Sequence, residues 1–416
     1  MHSPLLGYET AARLVQQYAA QICTRPKKTE RVWLADAADR VLATPLLADA
    51  DQPLFPRSTR DGYACRAAEL AQLNWLPIAG STQAGQASAR ELPMRAVWEI
   101  MTGAPVPAGA DAVVMLEHVE RDGDRIRLLP ERAIRSGENV VPRAAQARKG
   151  DVVLEAGVRI GAPQIALAAT CGAAELDVVL RPRVAILTTG DELVSVESEP
   201  GPAQIRNSNA PMLAALVEEA GGEPWILPVA ADTEPCVDAA LQESLKADML
   251  LISGGVSAGK FDLVEPCLEK LGATFQFTGI RIQPGKPLVF GEAPRAGTEP
   301  MPFFGLPGNP ISSAVTFRLF ASRVVGALSG NSNAGPRFAL AELSEGTKGR
   351  GNAGLTRFFP AYCDFHSFTD RLPKVATVPW QGSGDQAAFG RSNCCVVVPE
   401  GTPSLDAGAV TRILLF

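Results

Sequence analysis

Between Val184 and Leu328 short apolar runs alternate with helical stretches, and each run ends in a loop rich in Gly, Pro or small polar residues. That alternation marks a parallel sheet whose strands are joined by helices. Its sharpest instance is Met249-Leu250-Leu251-Ile252, which breaks at Ser253-Gly254-Gly255-Val256-Ser257 and resumes as a helix expected from about Asp262 to Leu271. An apolar run of this length ending in a glycine break reads as a strand covered on both faces. Glycine directly after such a strand lets a ligand approach the backbone where a Cβ would intervene. In open α/β sheets ligands sit beyond the carboxyl ends of the strands. Further strands are expected at Val184 to Leu187, Trp225 to Val229, Leu288 to Phe290 and Phe303 to Phe304. Helices are expected from Pro211 to Ala220 and from Thr233 to Leu245, and a last one ends near Leu328, with Asn309 at its N-cap and Pro310 in its first turn.

The flanking regions read differently. Tyr8 to Cys23 places Ala11, Leu14, Val15, Tyr18, Ala19 and Ile22 on one helical face, and Arg25-Pro26 ends it. From Trp75 to Pro130 strands alternate with turns: Leu76 to Ala79, Val97 to Met101, Ala112 to Glu120 and Arg125 to Leu129. After a small-residue linker, Ser329 to Gly335, short β-like runs continue to Phe416 and predict a small barrel or sandwich. The fold class is therefore multi-domain, α/β plus β, and 416 residues allow roughly three domains.

Composition narrows the function classes. A net charge of −6 with both signs interspersed argues against nucleic acid or an anionic membrane as main partner. No run approaches the ~18–20 apolar residues of a membrane span, and MHSPLLGYET lacks the basic and apolar regions of a secretory signal. Eight cysteines without C-x-x-C, and three scattered histidines, show no zinc pattern and read as the reduced, buried thiols of a cytoplasmic protein.

The residues with chemistry lie on the loops of the α/β region: Thr189-Gly190-Asp191-Glu192, Asp232, Ser253-Gly254-Gly255 with Ser257 and Asp262, Lys286 in Pro284-Gly285-Lys286-Pro287, and Pro307-Gly308-Asn309-Pro310. Backbone donors and a helix start suit a phosphate or other oxyanion. Clustered carboxylates suit Mg²⁺, which takes one or two of them together with phosphate oxygens. No His or Cys is placed as a nucleophile, so metal-assisted transfer on a phosphorylated ligand fits better than covalent catalysis. Ordinary roles stay open for each: capping for Asp191, Asp232 and Asp262, a solvated surface for Lys286, turn shaping for Pro307 and Pro310.

Six motifs in order carry a resemblance. S-G-G-V-S-x-G-x-x-D, T-G-D-E-L, P-G-K-P and G-L-P-G-N-P, with Asp61-Gly62-Tyr63-Ala64 and Met101-Thr102-Gly103-Ala104-Pro105-Val106-Pro107 upstream, resemble the molybdopterin molybdenumtransferase family, which includes bacterial MoeA and the E domain of gephyrin. The resemblance spans roughly residues 8 to 416. It implies an elongated linker domain from 29–47 and 149–180, and a β-rich insert at 48–148. It also implies a doubly wound molybdopterin-binding domain from 8–28 and 181–330, and a C-terminal barrel at 331–416. It implies a homodimer whose site is shared between subunits, and molybdate insertion into adenylylated molybdopterin with Mg²⁺-dependent release of AMP. Asp61 and Thr102 would come from the insert of the partner chain. Asp61, Glu192, Asp232 and Asp262 would serve metal and molybdate. Thr189 to Asp191, Ser253 to Ser257, Lys286 and Pro307 to Pro310 would hold the pterin nucleotide. A molybdopterin adenylyltransferase or a recipient molybdoenzyme would be the protein partner.

The chain departs from the family at three places. Arg60 replaces a Met, and Gln283 replaces the first lysine of K-P-G-K-P. Where the family has R-x-x-G-E-D, this chain has Val141-Pro142-Arg143-Ala144-Ala145-Gln146, so two acidic residues are gone. A methyl group or an amide lacks the charge with which a carboxylate meets a metal. Either Glu138 or Asp151 takes that part by a local shift, or activity is reduced or redirected. The alternative function is a non-catalytic paralogue that binds the pterin nucleotide as carrier or scaffold. Adenylylation of molybdopterin itself is disfavoured, because relatives with that activity carry G-G-T-G and need one domain only.

Overall fold

The computed structural model describes residues 5–85, 91–255, 263–347, 352–365 and 371–416. At its centre is a six-stranded sheet in the order Glu223–Ile226, Arg183–Thr188, Met249–Ser253, Met301–Leu306, Val289–Ala293, Thr274–Thr278. The first four strands are parallel, and the last two add an antiparallel edge. Sequence order and spatial order part at Arg183–Thr188: the chain first adds a strand on one side of it, then crosses to place Met249–Ser253 on the other.

Strand alternation explains why the sheet is wound on both faces. Val184, Ile186, Met249 and Leu251 point to one side, where helices Tyr8–Cys23, Asn209–Glu219 and the run Pro310–Leu328 cover them. Ala185, Leu187, Leu250 and Ile252 point to the other, against helices Glu234–Ser244 and Val264–Lys270. Met249 to Ile252 are all fully buried, and each large apolar side chain so buried contributes about 1.5–3 kcal/mol. The first helix is fixed by Tyr18, whose ring meets Phe290 edge-on at 5.1 Å while its hydroxyl donates to Glu292 at 2.8 Å. Phe290 in turn stacks on Phe304 at 4.5 Å. The 19-residue run Pro310–Leu328 is long and apolar enough to cross a membrane by length and composition, but its apolar window is 78% buried in this core.

In the C-terminal part, strands Phe338–Leu343, Thr356–Cys363, Lys374–Thr377, Cys394–Val398 and Val410–Leu415 form a closed barrel, because Thr356–Cys363 pairs with both Lys374–Thr377 and Cys394–Val398. Ile280–Gln283, a strand not expected from the pattern, leaves the α/β region to pair with this barrel and with Leu6–Gly7. A second six-stranded sheet holds Gly62–Cys65 between Ala112–Met115 and Val97–Ile100. The strand expected from Ala112 to Glu120 is interrupted by a short helical turn, Leu116–His118. Its ladder with Gly62–Cys65 ends at Met115, and the Leu116 N–H turns to the Asp61 carbonyl instead. Flanking this sheet, Thr29–Trp33 pairs with Glu175–Val179 and Leu46–Leu47 with Val152–Leu154. All eight cysteines are free; six are buried, whereas Cys23 is half-buried and Cys236 exposed, against the expectation of burial throughout.

Candidate active site

The carboxyl ends of Arg183–Thr188 and Met249–Ser253 lie side by side at the point where the strand order reverses. The Thr189 N–H donates to the Ser253 carbonyl at 3.2 Å, and the Gly190 N–H to the Ala230 carbonyl at 3.3 Å. Gly254 and Gly255 then turn the chain with φ of +96° and +62°. A Cβ on Gly254 would stand 2.6 Å from the Thr189 carbonyl oxygen, and one on Gly255 2.9 Å from the Thr189 hydroxyl. Gly254 packs on backbone and Gly255 on the side chains of Thr189 and Val264, and both have positive φ, so glycine suits both positions. The third loop joins them: a Cβ on Gly308 would lie 3.7 Å from the Gly254 Cα.

Asn209 ties these loops together. Its Nδ2 donates to the Ser253 hydroxyl at 2.8 Å and to the Gly308 carbonyl at 2.6 Å. Its Oδ1, and the hydroxyl of Thr189, are buried with no partner among the described residues. A buried polar atom left without a partner costs about 1–3 kcal/mol, which a ligand seated between the loops would recover.

Beside this cradle stand Asp191, Glu192 and Asp232. The Asp232 N–H donates to Asp191 Oδ1 at 3.1 Å. Partial burial, followed by the negative charges of Asp191 and Glu192, pushes the Asp232 carboxyl above its ordinary range. Among the described residues no three acidic, imidazole or thiol groups converge to hold an ion by themselves. The donor set fits a hard cation shared with phosphate oxygens, which needs only one or two protein carboxylates.

The other expected residues are placed as follows. Asp61 is exposed and accepts from the Thr102 backbone N–H at 2.7 Å and its hydroxyl at 3.0 Å. These bonds, the backbone one foremost, hold its carboxyl below the usual carboxylate range. The pair belongs to the second six-stranded sheet, and none of these bonds reaches the strand-end cradle. Lys286 is exposed on a loop whose Gly285 packs on Thr316 and Ile282. Pro307 is buried, Asn309 is the N-cap residue and Pro310 opens the helix. Asn309 does not cap with its side chain: Nδ2 donates to the Ser383 hydroxyl at 2.9 Å, and the Ser383 carbonyl takes the Ile311 N–H at 3.1 Å. One donor of that helix start is thus already occupied. Ser257 and Asp262 lie outside the described residues. Sequence reasoning missed Asn209 as a bridge, and Ser383 altogether. The polar triplet Asn207-Ser208-Asn209 before a helix and the loop Gly382-Ser383-Gly384 were the available signals.

At the altered loop, Arg143 pairs with Asp51 at 2.7 Å, and Asp51 also accepts the Lys149 N–H at 3.0 Å. Glu138 accepts the Arg135 N–H at 3.1 Å and Asp151 the Arg148 N–H at 2.8 Å, so both carboxylates close local turns. The Asn139 carbonyl accepts the Thr59 N–H at 3.0 Å, which sets this segment two residues from Asp61.

A doubly wound unit with a glycine-built cradle at its switch point, joined to a closed barrel and a β-rich unit, defines a molybdopterin-binding type of protein. Residues 185–327 match the model of a probable molybdopterin binding domain, residues 6–172 that of the MoeA N-terminal region (domains I and II), and residues 344–416 that of the MoeA C-terminal region (domain IV). The chain is 33% identical to a molybdopterin molybdenumtransferase of Haemophilus influenzae over 93% of its length and 94% of the relative. It is 34% identical to one of Bacillus subtilis over 96% and 93%. A molybdopterin biosynthesis MoeA protein from Pyrococcus horikoshii superposes with a TM-score of 0.80 at 27% identity, covering 99% of this chain and 100% of the other. The chain belongs to the molybdopterin molybdenumtransferase family, transferases of molybdenum cofactor biosynthesis.

Proposed function

We propose that the chain inserts molybdate into the dithiolene of adenylylated molybdopterin and releases AMP. The observation that carries this reading is the cradle itself: two glycines, and the buried Thr189 hydroxyl and buried Asn209 Oδ1 with no partner among the described residues, all at a switch point. Such a place takes a ligand that brings both donors and acceptors, as a pterin nucleotide does. Glu192 and Asp232 would hold Mg²⁺ against the phosphates, where the ion would neutralise charge on the leaving phosphoryl group. Asp262 would join them, and Ser257 and Lys286 would face the nucleotide with Gly308 and Asn309. Asp61, whose carboxylate accepts from Thr102, would reach the cradle of a second copy, so that a homodimer shares each site. The protein would work in the cytoplasm beside a molybdopterin adenylyltransferase or a recipient molybdoenzyme.

One observation favours a second reading. Ala145 and Gln146 stand where the family is acidic, and Glu138 and Asp151 are engaged in turns. On that reading the chain binds the pterin nucleotide as carrier or scaffold and transfers nothing. The deciding experiment incubates the protein with adenylylated molybdopterin, Mg²⁺ and molybdate, and follows AMP against a control without molybdate. Molybdate-dependent release is expected. Tight nucleotide binding without release would reject transfer in favour of the carrier, and no binding would reject both.

A further inference from the structure

A cavity of about 370 Å³ lies at the opposite end of the α/β sheet, facing the amino ends of the parallel strands. The chain passes twice between the α/β unit and the strand pair Thr29–Trp33 and Glu175–Val179. Both passages line the cavity, one through Arg25 to Lys28 and the other through Leu180 to Pro182. They are joined where the Leu180 N–H donates to the Lys28 carbonyl at 2.8 Å.

The charge there is opposite to that of the whole chain. Arg25, Lys27, Lys28, Arg181 and Arg295 line the cavity against two carboxylates, Asp248 and Glu299, an excess of three positive charges on a protein of net charge −6. Among the described residues only Arg25 has an ion pair, with Glu299 at 3.5 Å. Asp248 is turned to the Arg183 N–H at 2.8 Å, and Arg295 spends its donors on the carbonyls of Ala247 and Glu299.

Lys27 is the most telling group. Its ammonium is half-buried and gives one N–H to the Ile22 carbonyl at 2.6 Å. Burial pulls its pKa down; the neighbouring Cys23 opposes this and Arg25 adds to it. An ammonium in that position is stabilised by an anion, and among the described residues Lys27 forms no ion pair, Glu299 being paired with Arg25. Ile22 and Val179 are buried and, with Leu328, give the cavity an apolar floor. A cleft of this size with an apolar floor and converging charges has the make-up of a small-molecule site.

We propose that this cavity binds an organic phosphate, its anionic head among Lys27, Lys28 and Arg181 and its apolar body on Ile22, Val179 and Leu328. Such a ligand clasps both passages at once and fixes the α/β unit relative to the strand pair. The site is independent of the reading given to the strand-end cradle.

The test is calorimetric titration of the full chain with phenyl phosphate and, separately, with inorganic phosphate. Phenyl phosphate is expected to bind more tightly than inorganic phosphate. Lys27→Ala and Arg181→Ala should each weaken it about tenfold, the size of one charged hydrogen bond. Lys27→Arg, which keeps the charge, should retain binding and serves as the folding control for that position; Arg181 is exposed, so its variant keeps the fold. Lys374→Ala, an exposed lysine on the barrel, should leave it unchanged, and Lys286→Ala reads any binding at the strand-end cradle. Absence of binding overturns the proposal. So does binding lost in Lys286→Ala but kept in the two cavity variants. Equal affinity for the two phosphates overturns the assignment to an organic ligand.

Discussion

Gly254→Ala tests whether the strand-end loops are held by backbone-to-backbone contact. At φ +96° a side chain is strained, and a left-handed residue other than glycine costs about 1–2 kcal/mol. The new methyl would stand 2.6 Å from the Thr189 carbonyl oxygen. That oxygen is backbone at the end of a central strand and cannot swing aside, so overpacking adds about 1–3 kcal/mol. Gly297 is the comparator: its φ is +69°, and a Cβ there meets nothing within 4 Å. Gly297→Ala therefore carries the conformational cost alone. For a unit of roughly 150–250 residues, 1 kcal/mol moves the midpoint by about 2–4 °C. Gly254→Ala should then melt about 2–12 °C below Gly297→Ala. Scanning calorimetry is the suitable assay, because a chain of several units need not melt in one step. Binding of the pterin nucleotide should weaken in Gly254→Ala only. Equal shifts in the two variants, with binding intact, would refute the packing argument.

Three further outcomes are expected. Asp191→Asn keeps an oxygen for the Asp232 N–H but removes a like charge, so the Asp232 carboxyl should fall towards its ordinary range. A carboxyl raised in the fold favours the fold while protonated and loses that contribution as pH rises through its folded value. The variant should therefore gain stability relative to the parent at neutral pH but not in acid; thermal melts against pH check this, and a loss at neutral pH contradicts it. Thr102→Val leaves the backbone donor to Asp61 and removes the hydroxyl, so the Asp61 carboxyl should rise part of the way to its usual range. The stability from this depressed group, present at higher pH and lost as pH falls through the folded value, would then be smaller and its loss complete at a higher pH; carbon-detected NMR titration of the carboxylate reads the shift, and an unmoved titration would count against it. Glu138→Gln combined with Asp151→Asn should lower AMP release if either carboxylate stands in for the missing acidic pair; unchanged turnover ends that idea.

The α/β core was legible because its pattern is local. Met249 to Ile252 is apolar throughout, between Asp248 and a glycine break, and both faces of that strand are indeed covered. The helix at Tyr8–Cys23 follows from its 3–4 residue spacing, and Asn309-Pro310 marks a helix start in one step. Ile280–Gln283 was not legible, since its partners are Leu6–Gly7 and Thr356–Cys363, far off in the chain. At the site, glycine positions were readable because their steric need is intrinsic. The roles of Asn209 and Ser383 were not, because each depends on a loop more than seventy residues away.

The docking of the first helix also has a consequence in time. Tyr18 meets Glu292 across 274 residues of chain. At about 5–20 residues per second, a ribosome needs about 14–55 s to make that interval. Until then Ala11, Val15 and Ile22, which finish with almost no exposure, lack much of their native cover, since the helix Ser322–Leu328 that packs on them comes later still. The nascent chain thus carries an amphipathic helix whose apolar face waits for partners made much later in synthesis.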